Sequence, residues 1–218
     1  MKSILVLGAG RFGVHLIKQL HKAGDEILVV DISEERLEHV LDYVTSSLIG
    51  DSTDEDFIRS IGVSNFDICI VAIGDNFQSS LETTSLLKEN GAKFVVARAS
   101  REVHEKFLLR NGADAVIFPE KQMAEWTAIR YSSSNILDYI DVPGEFSIFE
   151  VEVPSSWIGK NPIELKIRQS AHLNVLGVRR KGGELMLDVG PETVFEEGTS
   201  VMILGKDKDI KKYLHLNY

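Results

Sequence analysis

Residues 6–16, "VLGAGRFGVHL", carry glycines at 8, 10 and 13 in a G-x-G-x-x-G spacing, with Arg11 and Phe12 in the gap. Glycine at the first position permits a tight turn. At the second it lets a pyrophosphate approach the backbone, and at the third it lets helix and strand pack closely. The spacing alone is a weak signal. Here it joins an apolar run, "SILVLG" (3–8), to a stretch of helical period, "FGVHLIKQLHKAG" (12–24). A helix starting at that point offers free N–H groups and a positive dipole to phosphate. Asp31 ends the next apolar run, "EILVVD", 23 residues after Gly8. A carboxylate there accepts both ribose hydroxyls and repels a 2′-phosphate, favouring NAD or an adenine nucleotide over NADP. Arg11 can reach phosphate oxygens from the loop, and Arg98 ends a later run in a similar position. The plainer use of Arg11 is as a solvated residue on a first helical turn.

The elements that position these residues follow from hydropathy. Further apolar runs lie at 44–50, 67–74, 93–99 and 114–118, rich in Val and Ile and mostly without polar alternation. Such runs suit parallel strands buried on both faces. Between them lie amphipathic stretches, the first with Val14, Ile17 and Leu20 on one face and a closing Gly24. Asp31 with Glu34 is expected to cap "SEERLEHVLD". Six strand–helix units predict an α/β fold, a Rossmann-like doubly wound parallel sheet over residues 1–135. Its carboxyl edge then collects "GDST" (50–53), "AIGDN" (72–76), "ARAS" (97–100) and "FPEK" (118–121).

Beyond residue 135 the pattern changes, and residues 136–218 are expected to form a smaller α+β domain. "NILDYIDVPGEF" reads as a linker with a Pro-Gly turn. Alternating strands follow at 146–154, at 174–190 with a turn at Gly182-Gly183, and at 199–205. One helical piece is expected from near Pro162 and another over "KDIKKYLHL".

Composition limits the function. The chain has 218 residues and a net charge of −9, which opposes a non-specific grip on nucleic acid or anionic lipid. The start, "MKSILVLG", is too short an apolar run for a signal peptide, and no run approaches the roughly 18 residues of a membrane span. A cytoplasmic chain is expected. Cys69, the single cysteine, lies within "DICIVAIG" and suits a small buried hydrophobe. A NAD-dependent oxidoreductase needs a proton-handling group near the nicotinamide. No Tyr is followed by Lys four residues later, and Leu108 stands where a zinc helix begun by His104-Glu105 needs histidine. Neither a G-x-S-x-G elbow nor a Walker A sequence occurs. These readings favour a nucleotide that is sensed over one that is consumed, and a non-enzyme.

"VLGAGRFG", Asp31, "AIGDNFQSSL", "ARA", "NGADAVIFPEKQMA" and "NILDYIDVPGEFSIFEVEV" together resemble the cytosolic regulatory subunits of bacterial Trk/Ktr potassium uptake systems. The resemblance is to the KtrA/KtrC-like group, with a nucleotide-binding RCK (KTN) domain followed by a TrkA-C domain. It implies dimers assembled into an octameric ring beneath a membrane-embedded potassium channel subunit. It also implies ATP, ADP and NAD(H) competing for one cleft, with ATP favouring transport. Carried over by position, Gly8, Gly10, Arg11 and Gly13 hold phosphates and Asp31 holds the ribose, with Phe12 and Ile32 among the cofactor-binding residues. Asp51, Ser52, Ala72, Ile73, Gly74 and Arg98 line the cleft. Glu120 matches an acidic residue near the phosphates at which Mg²⁺ or Ca²⁺ can bind. A second ligand, cyclic di-AMP, is implied at Ile163, Arg168 and Asn174. There, Ile163 and Ile167 as dimer-core residues, with Arg168 paired to Glu164, is the competing arrangement.

Overall fold

A computed structural model describes residues 1–214. The apolar runs of the first half form β1 (Ser3–Leu7), β2 (Glu26–Asp31), β3 (Ser46–Ile49), β4 (Ile68–Val71), β5 (Val95–Arg98) and β6 (Ala115–Ile117). They pair in parallel in the order β3-β2-β1-β4-β5-β6. Successive residues of β1 enter different cores. Ile4 and Val6 pack with Ile17, Ile27 and Val29, whereas Leu5 and Leu7 pack with Ile58, Cys69 and Leu87. Both faces are dry, which is why the strand sequences lack polar alternation. Burial also pushes the Cys69 thiol up to about 12, so it stays protonated and inert.

The crossovers are α1 (Arg11–Ala23), α2 (Glu34–Glu38), α3 (Glu55–Ile61), α4 (Phe77–Glu89) and α5 (Glu102–Arg110), followed after β6 by α6 (Pro119–Ser132). Gly24, with φ of 82°, closes α1 as expected. The cap of α2 differs from expectation. The Ser33 side chain, not Asp31, accepts from the Arg36 N–H, because α2 starts at Glu34 and makes Ser33 its cap position, while Asp31 stays at the end of β2 and accepts from the Ala9 and Ser33 amides. Strand order reverses between β2-β1 and β1-β4, so a crevice opens beyond the carboxyl ends of β1 and β4.

The chain divides into two compact units, 1–120 and 121–218. The division falls near the start of α6. Trp126 Nε1 donates to the Tyr139 carbonyl at 3.0 Å, Arg130 donates to the Ile136 carbonyl, and Ile129 packs on the second core. The second unit holds an antiparallel sheet of β7 (Ile136–Val142), β8 (Phe146–Glu152), β9 (Asn174–Arg179), β10 (Leu185–Met186) and β11 (Ser200–Lys206), ordered β10-β9-β11-β8-β7. The expected linker over 135–146 is therefore corrected to a strand and a hairpin turn. Ile136 is fully buried and Tyr139 lies on Phe149, while Gly144 and Glu145 take positive φ to reverse the chain. The expected helix near Pro162 is also corrected. The Asn161 side chain accepts from the N–H groups of Ile163 and Glu164, holding a turn, so α7 begins only at Ile167 (Ile167–Ala171). The last helix, α8 (Asp207–Leu214), covers most of the expected stretch, and residues 215–216 of it lie outside the described residues. No helix among the described residues is long and apolar enough to cross a membrane.

Candidate functional site

A cleft of about 850 Å³ lies beyond the carboxyl ends of β1, β2, β4 and β5. Its floor is the glycine loop. Gly8 takes φ of +107° while its N–H donates to the Val30 carbonyl at 2.8 Å. A Cβ on Gly13 would stand 2.1 Å from the Gly8 carbonyl oxygen, so the third glycine is needed for α1 to approach β1. Gly10 faces open space: a Cβ there meets nothing within 4 Å. No side chain caps α1 and no acidic residue sits in its first turn, whereas Asp54 caps α3 and Asn76 caps α4. The N-terminal amides of α1 therefore meet the cleft uncapped, as an anion site requires.

Asp31 is buried at the end of β2. One of its oxygens accepts from the Ala9 N–H at 2.7 Å and the other from the Ser33 N–H at 2.9 Å. Each carboxylate oxygen has a second lone pair, so the group retains acceptor capacity toward the cleft. Asp51 is exposed and accepts from both the Thr53 N–H and its hydroxyl, which hold its carboxyl below the usual range. Ser52 is spent differently, its hydroxyl meeting Thr83 Oγ1 of α4 at 2.9 Å. Arg98 lies over the Phe12 ring, 5.6 Å from its centroid, and pairs with Glu120. A Cβ on Gly74 would collide with that guanidinium at 2.0 Å, so glycine leaves the space Arg98 occupies. Burial pushes the Glu120 carboxyl up. Its own backbone N–H, Arg98 and the charge of Arg11 outweigh that and hold it below the usual range.

Gly8, Gly10, Arg11, Phe12, Asp31, Ile32, Asp51, Ser52, Ala72, Ile73, Gly74, Arg98 and Glu120 all line this cleft. Gly13 does not; it acts through packing. His15, Val30, Arg36, Gly50, Asp75, Asn76 and Ser79 line it as well. Three of those, Gly50, Asp75 and Asn76, fall inside segments placed on the carboxyl edge by the strand pattern. His15 and Arg36 had only a helical spacing as signal, one turn beyond Arg11 and three residues beyond Ser33. His104 is a core residue. Its Nδ1 accepts from the Ser100 N–H at 3.3 Å, and burial with the charges of Arg101 and Arg98 pushes its pKa down.

In the second unit Ile163, Arg168 and Asn174 are all exposed, and Ile163 precedes α7. Ile167 is a core residue of this unit, packed with Trp157 and Leu173. Glu164 accepts from the Asn161 N–H, and no ion pair joins it to Arg168 among the described residues. A groove of about 640 Å³ between Trp157, Lys160, His172 and Tyr213 includes none of the three. No group of three or more His, Cys, Asp or Glu suited to a metal occurs among the described residues.

The TrkA-N domain family matches residues 4–119, which contain the glycine loop and all of the parallel sheet but Ser3, and the TrkA-C domain family matches residues 146–216. The chain belongs to the TrkA-N family. Ktr system potassium uptake protein A of Bacillus subtilis (strain 168) is 38% identical over 97% of this chain and 95% of its own length. Ktr system potassium uptake protein C of the same organism is 34% identical over 97% and 96%. Among solved structures, the GsuK channel bound to NAD aligns with a TM-score of 0.70 at 22% identity, over 99% of this TrkA-N chain and 39% of that one. At that identity the likeness carries the fold: an RCK-type parallel sheet with a second, antiparallel unit.

Proposed function

We propose that the chain is the nucleotide-sensing gating subunit of a potassium uptake channel or transporter, held at the cytoplasmic face by a membrane-embedded partner. The observation that carries this is the uncapped start of α1 after Gly8 and Gly10, with Asp31 beside it accepting from the Ala9 N–H in the same cleft. End-to-end relationship to the Ktr proteins A and C supports the partner and the ion. ATP, ADP and NAD(H) share the features the cleft addresses, an adenosine ribose and a pyrophosphate. They differ beyond it. A ring assembled from dimers is biased only by a ligand that binds its two shapes unequally. A γ-phosphate, which ADP and NAD lack, gripped by arginine from across a dimer interface supplies that inequality, and Arg11, exposed at the cleft, has the chemistry for the grip. No bond is broken in such a cycle.

Glu120 supplies one oxygen ligand for Mg²⁺ or Ca²⁺, in competition with Arg98, and phosphate oxygens supply the others. Cyclic di-AMP is the second ligand, taken between two copies of Ile163, Arg168 and Asn174, where paired guanidiniums need an anion between them. The deciding experiment is co-reconstitution with the cognate membrane subunit in vesicles. ATP is expected to raise potassium flux above ADP, and mass spectrometry of the purified chain to find a retained adenine nucleotide. Flux indifferent to nucleotide, with stoichiometric hydride transfer to a substrate instead, would reverse the reading.

A further inference from the structure

The cleft walls carry three guanidiniums, Arg11, Arg36 and Arg98, against four carboxylates, Asp31, Asp51, Asp75 and Glu120. Two of the three cations are already committed. Arg36 lies 3.7 Å from Asp31, and Arg98 is paired with Glu120. A pyrophosphate brings two more negative charges into walls that are net negative, and the uncapped start of α1 offsets only part of that. One further cation is available. His15 lines the same cleft, is exposed, and makes no hydrogen bond, ion pair or ring contact among the described residues. It stands four residues after Arg11 on α1, so the two side chains share a face and lean toward the helix start.

We propose that His15 is a phosphate-binding residue of this cleft that acts as the imidazolium, so that nucleotide binding takes up a proton. The proposal rests on the nucleotide-binding reading above. Of the groups facing the cleft, guanidinium and carboxylate carry fixed charge between pH 6 and 8, and imidazole is the type that titrates there. An anion held within about 4–6 Å of an imidazole favours its charged form. The bound state therefore holds its proton to higher pH than the free state, and binding tightens as pH falls through that window. Protonation also brings the wall charge to balance, at four cations against four carboxylates.

The test uses the full chain, a chelator to remove divalent cations, and NAD as probe, because its pyrophosphate has no group titrating between pH 6 and 8. Calorimetry at pH 6, 7 and 8, in buffers of differing ionisation enthalpy, reads affinity and proton uptake together. The wild type is expected to bind about fivefold more tightly at pH 6 than at pH 8, with net proton uptake. His15→Gln removes both the slope and the uptake. His15→Lys binds at pH 8 about as tightly as the wild type does at pH 6, without pH dependence. Unliganded melting temperatures should agree among the three, since the residue is exposed. A full pH slope in His15→Gln, or none in the wild type, overturns the proposal. Absence of NAD and ATP binding in every form at every pH overturns the nucleotide reading with it.

Discussion

Among the described residues each unit buries one carboxylate, and the two are satisfied in different ways. Asp31 of the first unit is 6% exposed and Glu150 of the second 7%. Asp31 rests on two backbone amides at a strand end, with Arg36 loosely at 3.7 Å. Glu150 sits mid-strand on β8, where Arg179 of β9 donates to both its oxygens, at 2.8 and 3.3 Å, and the Ser200 hydroxyl of β11 donates as well. The first arrangement fixes the group's direction and leaves lone pairs for a ligand. The second consumes the group in joining three strands. Burial alone does not mark a binding residue; the identity of the partners does.

Five measurements break or sharpen this contrast. The largest effect is expected for Glu150→Ala, which removes the clamp and leaves Arg179 and Ser200 without their acceptor. It should cost about 2–3 kcal/mol in denaturant unfolding, with nucleotide affinity unchanged. Next is Asp31→Ala, in which the loss appears in binding. Removing charge-assisted ribose hydrogen bonds should cost about 1.5–3 kcal/mol, roughly ten- to a hundredfold in ADP affinity by calorimetry. Unchanged affinity would end the ribose assignment and make Asp31 a loop clamp like Glu150.

Acid titration separates the two carboxylates again. Burial pushes Glu150 up, but hydrogen bonds from Arg179 and Ser200 and the charge of Arg179 hold it below its ordinary 4.5. A depressed carboxylate contributes stability above its unfolded pKa and loses it as pH falls through the folded value. The wild type should therefore melt above Glu150→Gln at pH 7, and the gap should narrow as pH falls below the ordinary 4.5. A gap that stays constant as pH falls from 7 through the acid range would mean that packing, not charge, holds the strands.

The smallest effect is expected at the mouth of the cleft. Arg11→Ala should narrow the ATP–ADP affinity gap by about fivefold, near 1 kcal/mol, while leaving ADP almost unaffected. Glu120→Gln should lower the divalent-cation dependence of ATP binding and leave NAD binding unaltered. Wild-type behaviour in both variants would make these residues ordinary surface charges.

Much of the first unit was legible in the sequence because its determinants are local. A helix start uncapped after glycine, a carboxylate at a strand end and Val/Ile runs without polar alternation each depend on a few consecutive residues. The second unit was read less well. "DVPGEF" has the composition of a linker, and only pairing with β8 and contact with Phe149 make the preceding residues a strand. Asp31 lines the cleft at the end of β2, and Ser33, not Asp31, caps α2. Ser33 and Asp31 have equal cap chemistry, and the start of α2 at Glu34 decides between them.

The sequence by itself determined that a parallel sheet would present a glycine loop, Asp31, Asp51, Arg98 and Glu120 on one edge, since strand polarity and loop position follow from hydropathy and turn chemistry. Only the tertiary structure decided how those groups are spent. Ser52 gives its hydroxyl to Thr83, thirty-one residues away, and Arg98 reaches Glu120 through space that glycine at position 74 leaves open. His15 and Arg36 join the cleft because their helices lie along its rim. Each of these contacts joins residues whose separation along the chain is set by the packing of whole elements, and no local pattern encodes that distance.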